Sequence, residues 1–199
     1  DYVRDQADIE WSVPVLADLM ARLGDRVGET HVNVVAHSLG SRGVIFALQR
    51  LALERVERPA IGHLVLLAPD FDSQTFIELQ PGLATLTGGM TLYASDNDAP
   101  LKVSRQLSGY PRLGEAGAYL TLMEGMDTID VSSVGRYQIT GHEYFYFHPR
   151  VTADLVALLS IGARAAQRTG LQAQKRNGIR YWTFRDTVHD DGPASTVAD

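Results

Sequence analysis

The sequence contains no cysteine, and this absence excludes several kinds of chemistry. Disulfide bonds, zinc sites with thiolate ligands and catalysis by a thiol nucleophile all depend on cysteine. The absence does not reveal the compartment, because a chain without cysteine suits oxidising and reducing environments alike. Any nucleophilic catalysis by this chain must use another side chain.

Long apolar runs are also lacking. No stretch approaches the ~20 apolar residues that a membrane-spanning helix needs, and no secretory signal peptide is recognisable. The chain begins with Asp1 rather than methionine, so an N-terminal targeting segment could have been removed. We therefore expect no transmembrane segment and leave the compartment undetermined, with the cytoplasm favoured.

Positive charge is scarce relative to negative charge. The chain has 18 Lys and Arg against 24 Asp and Glu, a net charge of −6, and no basic stripe. Because nucleic-acid-binding surfaces are basic, we expect no nucleic-acid partner. A length of 199 residues with 45% apolar content is typical of a globular protein with one sizeable core.

Predicted strands and helices alternate along the chain. This pattern is typical of an α/β fold, a mostly parallel sheet with helices on both faces. We assign the domain to residues 1–170 and treat 171–199 as a tail, with an aromatic docking segment and a disordered end. The predicted strands are 31–37, 61–70, 90–95 and 126–134, and the predicted helices are 1–24, the segment after Ser38, 71–80, 99–108 and 149–167.

The chain is organised around residues 31–48, HVNVVAHSLGSRGVIFAL. The β-branched first half predicts a strand covered on both faces, and helical spacing of apolar residues follows Ser38. Gly40 stands where we expect the reversal of the chain to leave no room for a side chain. This is the nucleophile-elbow pattern G-x-S-x-G with Ala36 replacing the first glycine. The alternative is that Ser38 only caps a helix, but the strand-turn-helix context favours a nucleophile.

Several polar side chains directly follow predicted strands. The carboxyl ends of parallel strands meet at one edge of the sheet, and ligands in such folds bind beyond that edge. We therefore expect these side chains to share a site. They are Ser38, the pair Asp70 and Asp72, the pair Asp96 and Asp98, and His142.

A serine nucleophile needs a base, and the base needs an acid that orients it and stabilises its charged form. After a nucleophile elbow, the acid and then the histidine follow along the chain. This order excludes the histidines up to His63. Of those that remain, His148 is explained as a helix cap and His189 falls in the tail. His142, in a Gly-His-Glu loop beyond the last predicted strand, is the predicted base.

The acid stays open on this reasoning. Its usual position is the loop after the strand that lies two strands beyond the nucleophile strand, here YASDNDAPL. Asp96 and Asp98 are both in that loop, and Asp70 and Asp72 follow the preceding strand.

Five motifs occur in order within residues 1–160: VNVVAHSLGSR, LVLLAPDFD, TLYASDNDAPLKVSR, TIDVSSV and GHEYF. Together they resemble an uncharacterised, largely bacterial branch of the α/β-hydrolase superfamily. Its members carry an AHSMG-like elbow, an APD-x-D stretch, a segment like Y-x-S-x-x-D-x-A-L and a late histidine near aromatic residues. The resemblance implies an α/β-hydrolase fold with esterase-like or lipase-like activity. It also implies Asp98 as the acid, with Asp96 as the alternative.

The chain departs from that family in two respects. Pro100 replaces the usual alanine, which is a minor change. The resemblance begins at the helix before the nucleophile strand, without the earlier strands and the His-Gly-type loop that supplies half of the oxyanion hole. The N–H of Leu39 is the one predicted oxyanion donor. We therefore expect upstream strands of the same domain, or a partner chain, to be needed; the oligomeric state is not indicated.

Weaker signals concern the surroundings of the site. A metal site at His142, Glu143 and His148 is not favoured, because the spacing matches no known ligand pattern. We expect neither a metal nor another cofactor. The Asp70 and Asp72 pair either shapes the acyl pocket or caps the next helix. The candidate pocket residues are His37, Asp70 and Phe71.

These features predict a serine hydrolase that cleaves a small-molecule carboxylic ester through an acyl-enzyme. Ser38 would be the nucleophile, His142 the base and Asp98 the acid. The alternative is a non-catalytic α/β-hydrolase-fold module that binds a partner. Cleavage of an amide or thioester also stays open, because a triad does not select the leaving group.

Overall fold

A computed structural model describes residues 2–28, 32–54, 60–134 and 141–185, apart from the side chains of Val3 and Phe147. The strands are β1 (Asn33–His37), β2 (His63–Leu67), β3 (Met90–Ala94), β4 (Met126–Asp130), β5 (Leu171–Arg176) and β6 (Ile179–Phe184). The helices are α1 (Tyr2–Val27), α2 (Gly40–Leu53), α3 (Ser73–Ala84), α4 (Ala99–Ser108), α5 (Tyr144–Phe147) and α6 (Pro149–Ile161), with 3-10 turns at Gly117–Tyr119 and Ala165–Gln167.

The strands form one sheet in the order β1-β2-β3-β4-β6-β5. Neighbouring strands from β1 to β4, and β4 with β6, run parallel, and β5 is antiparallel to β6. Leu64 and Leu66 of β2 belong to the core shared with α1, α2 and α3, whereas Val65 and Leu67 belong to the core shared with α6. Helices thus cover both faces, and the predicted α/β fold with a mostly parallel sheet is confirmed.

The predicted domain boundary at residue 170 is wrong. Residues 171–176 and 179–184 are β5 and β6, a hairpin that continues the sheet, rather than a tail. The side chains of Leu171, Trp182 and Phe184 are at most 8% exposed and belong to the second core. Trp182 and Phe184 therefore pack inside the domain, rather than in a docking segment outside it. The expected disordered end, DDGPASTVAD at 190–199, lies outside the described residues.

Strand β1 is less covered than its β-branched composition predicted. Within the described residues it pairs only with β2, and Val35 is 46% exposed. The prediction of a strand covered on both faces is therefore wrong for these residues, because β1 lies at the edge of the described sheet.

The glycine that needs its small size is not the predicted one. At Gly40, an added Cβ would meet no described atom within 4 Å, so the expected lack of room is absent there. At Gly43, one turn into α2, an added Cβ would lie 3.1 Å from Ile9 and 3.2 Å from Leu16. Gly43 therefore permits the close approach of α1 and α2.

Neither these helices nor any other in the described ranges is long and apolar enough to cross a membrane.

Candidate active site

Ser38 follows the last residue of β1 in a strained turn. Its φ of 51° lies in the left-handed region, which costs a non-glycine residue about 1–3 kcal/mol. The turn is held by main-chain hydrogen bonds: Ser38 N donates to Leu67 O (3.0 Å), and Ser38 O accepts from Asp70 N (3.0 Å) and Ser41 N (3.1 Å). The serine is thus tied to the end of β2 and raised above the sheet, as an elbow requires.

The structure brings Ser38, His142 and Asp98 into one hydrogen-bonded chain. His142 Nε2 lies 2.8 Å from Ser38 Oγ, and His142 Nδ1 lies 2.6 Å from Asp98 Oδ2. The carboxylate accepts a hydrogen bond from Nδ1–H, which leaves Nε2 as the acceptor for the serine hydroxyl. Serine, base and orienting acid therefore have the mutual geometry of a nucleophilic triad.

Asp98, rather than Asp96, contacts the histidine. The carboxylate of Asp98 is fully buried at the start of α4, where Oδ1 accepts a hydrogen bond from Leu101 N (3.0 Å). Burial raises the pKa of Asp98, and its hydrogen bond with His142 opposes that rise. The side chain of Asp96 is exposed, and its main-chain N donates to Ser132 Oγ (2.9 Å).

Gly141 sets the position of the histidine loop against the acid loop. Its φ is +65°, and an added Cβ would overlap the carbonyl oxygen of Asn97. Asn97 is itself held in place, since its Nδ2 donates to Ser132 O (2.9 Å). Sequence reasoning missed these supports, although Gly141 beside His142 was a visible signal.

Tyr144 anchors the same loop to the sheet. Its fully buried hydroxyl accepts from Ala68 N (3.0 Å) and donates to Tyr93 O (3.0 Å), at the ends of β2 and β3. Burial raises the pKa of Tyr144 well above its usual value, so the hydroxyl stays protonated. Two residues after His142, this anchor therefore limits the movement of the base.

His37, a predicted pocket residue, packs against the catalytic candidates. Its Nε2 lies 3.3 Å from the carbonyl oxygen of His142, and its ring centre is 4.6 Å from that of His142 and 4.5 Å from that of Phe145. Burial, followed by the nearby charge of His142, lowers the pKa of His37 to about 4. His37 is therefore neutral near neutral pH.

The side chains of the other two predicted pocket residues, Asp70 and Phe71, are buried. Asp70 is 5% exposed and forms an ion pair with Arg112 (Nε to Oδ1, 2.8 Å), and Ser104 Oγ donates to the same oxygen at 2.7 Å. Phe71 is 1% exposed and packs edge-on against Phe46. They support the site from within the core, and their role in a substrate pocket stays a prediction.

The remaining polar candidates have structural roles. Asp72 caps α3 by accepting from Thr75 N (2.6 Å), and His148 caps α6 through its Nδ1. His63 Nε2 lies 2.9 Å from Thr91 Oγ1, as expected for a core histidine. His189 is outside the described residues. In the described ranges, no three His, Cys, Asp or Glu side chains form a group that could hold a metal ion.

Leu39, the predicted oxyanion donor, immediately precedes α2 and has helical dihedral angles (φ −61°, ψ −28°). Main-chain N–H groups at the start of a helix lack partners within the helix and can face an anion. The donor role of Leu39 stays a prediction.

A sheet covered on both faces, with a nucleophile elbow and strand-end acid and histidine, is the arrangement of an α/β-hydrolase. Residues 1–160 match the model of the family described as alpha/beta hydrolase of unknown function (DUF900). The chain belongs to this α/β-hydrolase family, and the predicted superfamily is confirmed. No curated protein and no solved structure matches the chain. The largely bacterial character of the branch stays a prediction.

Proposed function

We propose that this chain is a serine hydrolase that cleaves carboxylic esters of small molecules through an acyl-enzyme. The observation that carries the proposal is the continuous hydrogen-bonded chain from Ser38 Oγ through His142 to Asp98, with distances of 2.8 and 2.6 Å. A serine is a weak nucleophile without an oriented base, and this geometry supplies one.

In the acylation half-reaction, Ser38 Oγ attacks the ester carbonyl carbon while His142 Nε2 takes the hydroxyl proton. The Asp98 carboxylate holds Nδ1–H and stabilises the imidazolium that forms. The carbonyl oxygen gains negative charge and accepts a hydrogen bond from Leu39 N–H. When the tetrahedral intermediate collapses, the ester C–O bond breaks, and the alkoxide takes the proton from His142 and leaves as an alcohol.

In the deacylation half-reaction, water replaces the alcohol. His142 Nε2 removes a proton from the water as the oxygen attacks the acyl carbon. The second tetrahedral intermediate then releases Ser38, which regains its proton from His142, and the carboxylic acid departs. Apart from the ester and the water molecule, both half-reactions use only side chains and main-chain groups of this chain.

The proposal includes further polypeptide beside β1, as strands of the same domain or of a partner chain. Two observations support it: β1 pairs on one side only among the described residues, and Val35 is 46% exposed there. An open edge of this kind is a template for strand pairing. A polypeptide paired with that edge would be adjacent to the elbow and could supply a second oxyanion donor.

Turnover of p-nitrophenyl esters with short and long acyl chains tests the proposal. We expect a burst of p-nitrophenol followed by steady turnover, and at least a ~1,000-fold lower kcat for Ser38→Ala. Ser41→Ala is the matched control, because Ser41 is a buried serine in the first turn of α2 whose Oγ has no hydrogen-bond partner among the described residues; it should stay within a few-fold of wild type. Equal background rates for wild type and Ser38→Ala would contradict the proposal. Together with a stable partner in pull-down experiments, they would favour the non-catalytic binding module.

A further inference from the structure

The proposed reaction does not use His37, although this histidine directly precedes Ser38 and contacts His142. It is the last residue of β1, directly before the nucleophile. Its side chain reaches across to the loop that carries the base, where it contacts His142 and Phe145. His37 therefore joins the element that presents the nucleophile to the element that presents the base.

We infer that His37 is a positioning residue, which holds His142 at the correct distance from Ser38 by donating its Nε2–H to the His142 carbonyl oxygen and by packing against the His142 and Phe145 rings. This inference rests on the proposed serine-hydrolase function. It assigns His37 no contact with the substrate. The role differs from the substrate pocket expected from the sequence.

The geometry of the loop supports this role. Gly141 and Tyr144 tie the loop to the acid loop and to the ends of β2 and β3. His37 adds a contact at the main chain of His142 itself, from the side of the nucleophile. Since a misplacement of reacting groups by about 1 Å can cost about 100-fold in rate, a hydrogen bond at this point has a measurable effect on catalysis.

The neutral state of His37 fits the same role. His142 becomes an imidazolium during each proposed half-reaction, and a second charge at 4.6 Å would oppose it. Burial lowers the pKa of His37 to about 4, so the neighbouring ring is uncharged at the pH where the base works. A neutral imidazole can donate one N–H, which is the single donor that the His142 carbonyl oxygen requires.

Three variants separate positioning from simple filling of space. His37→Phe keeps a ring against His142 and Phe145 but removes the donor. His37→Gln replaces the ring but can place an amide N–H near the position of Nε2. His63→Leu is the control. His63 is also a half-buried histidine with a pKa lowered to about 4, and its side chain contacts that of Thr91. It is the first residue of β2, whereas the candidate site lies at the other ends of the strands.

Active sites are titrated from the burst of p-nitrophenol, and kcat and KM are then measured per titrated site. We expect His37→Phe to lower kcat about 10- to 100-fold, with KM within about twofold of wild type, because the loss affects reacting geometry and not substrate binding. His37→Gln should recover most of kcat, and His63→Leu should match wild type. The inference is overturned if His37→Phe keeps the wild-type kcat, if His63→Leu loses as much, or if fewer titratable sites explain the entire loss.

A spectroscopic measurement separates failure of this inference from failure of the proposed function. In the resting protein, we expect the Nδ1–H that His142 donates to Asp98 to give a low-field proton resonance. We expect His37→Phe to shift or broaden that resonance and His63→Leu to leave it unchanged. If neither the wild-type protein nor any variant hydrolysed esters, the proposed function would fail. The resonance would still test the role of His37, because an unchanged resonance in His37→Phe would overturn the inference.

Discussion

Each carboxylate oxygen of Asp98 has its own partner. Oδ1 accepts from Leu101 N at the start of α4, and Oδ2 faces His142 Nδ1. The cap orients the carboxylate, so that its second oxygen is directed at the histidine. Asp96, two residues earlier, is exposed and has no such constraint on its side chain.

Replacement of Asp98 by asparagine tests this arrangement, because it exchanges the oxygen that faces His142 for an amide nitrogen. In Asp98→Asn the remaining carbonyl oxygen can still cap α4, so we expect the free energy of unfolding to change by less than about 1 kcal/mol. The amide N–H₂ then faces His142 Nδ1 and cannot accept a hydrogen bond from Nδ1–H. It favours the tautomer of His142 whose proton is on Nε2, which cannot act as base towards Ser38, so kcat should fall about 10,000-fold. Ester turnover and urea unfolding measure the two effects. Asp96→Asn is the control and should stay within about twofold; a larger loss in Asp96→Asn than in Asp98→Asn would reverse the assignment.

The two half-buried histidines predict how stability depends on pH. Burial lowers the pKa of both His37 and His63 to about 4, whereas an unfolded chain titrates near 6.5. Between these values the unfolded state binds more protons, so stability is complete above about pH 6.5 and falls as the pH drops towards 4. Urea unfolding at pH 7.5 and pH 5 should show this loss, and His63→Leu should show a smaller one. An equal loss in the wild type and in His63→Leu would contradict the low pKa of His63.

Among the helices, strands and loops, it is a loop and not a strand that determines the position of His142. Residues 141–143 directly precede α5, and neither a long helix nor a strand carries His142. Contacts made by Gly141 and Tyr144 replace that missing support. Catalytic geometry should therefore be sensitive to residues that do not touch the substrate.

Substitution of Gly141 tests this dependence. Gly141→Ala requires a side chain at φ +65° and places its Cβ on the carbonyl oxygen of Asn97, so the loop must shift and carry His142 with it. We expect kcat for ester hydrolysis to fall about 100-fold, as for a misplacement of about 1 Å. Gly109→Ala is the matched control: its φ is +80°, but a Cβ there meets no described atom within 4 Å. Both variants should lose about 1–2 kcal/mol of stability from the left-handed backbone. A similar kcat in the two variants would show that the contact with Asn97 is unimportant.

Local sequence patterns predicted most helices and strands, but they did not predict the surroundings of every side chain. Apolar periodicity identified β1 to β4, and the predicted α4, 99–108, has the observed bounds. The β5–β6 hairpin was missed because β5 is largely polar and exposed, although the Asn177-Gly178 turn is a typical hairpin signal. Whether Asp70 would line a pocket or form a buried ion pair with Arg112 depends on a contact between residues 42 positions apart, which no local pattern contains.

The candidate site was predictable to a similar extent. Chain order and strand ends were sufficient to choose Ser38 and His142. The choice of Asp98 over Asp96 came from resemblance alone, since both follow the same strand. The supports around His142 could not be predicted, because they depend on the path of the loop and on contacts with distant residues.

At the scale of the whole molecule, the sheet extends beyond the residues that match the family model. The match ends at residue 160, but the described sheet continues through β5 and β6. β6 is inserted beside β4, with Trp182 opposite Ile129. The final hairpin is therefore part of the core that supports the histidine loop.

Truncation of a hairpin side chain tests this part of the fold. Trp182 is 8% exposed, so Trp182→Ala should lower the free energy of unfolding by about 3–5 kcal/mol. Leu53→Ala removes an apolar side chain that is 76% exposed and should change stability by no more than about 0.5 kcal/mol. Urea unfolding curves measure both. A small effect of Trp182→Ala would contradict the inclusion of the hairpin in the core.

The central claim is that Ser38 is an activated nucleophile, and covalent labelling by a fluorophosphonate tests it most directly. The reagent reacts with serines that an adjacent base activates, and it requires no knowledge of the natural ester. We expect one label per chain by intact mass, located on Ser38 by peptide mapping, with no label in Ser38→Ala and normal labelling in Ser41→Ala. If the wild-type protein carried no label, or if the label were on another serine and Ser38→Ala were still labelled, Ser38 would not be an activated nucleophile.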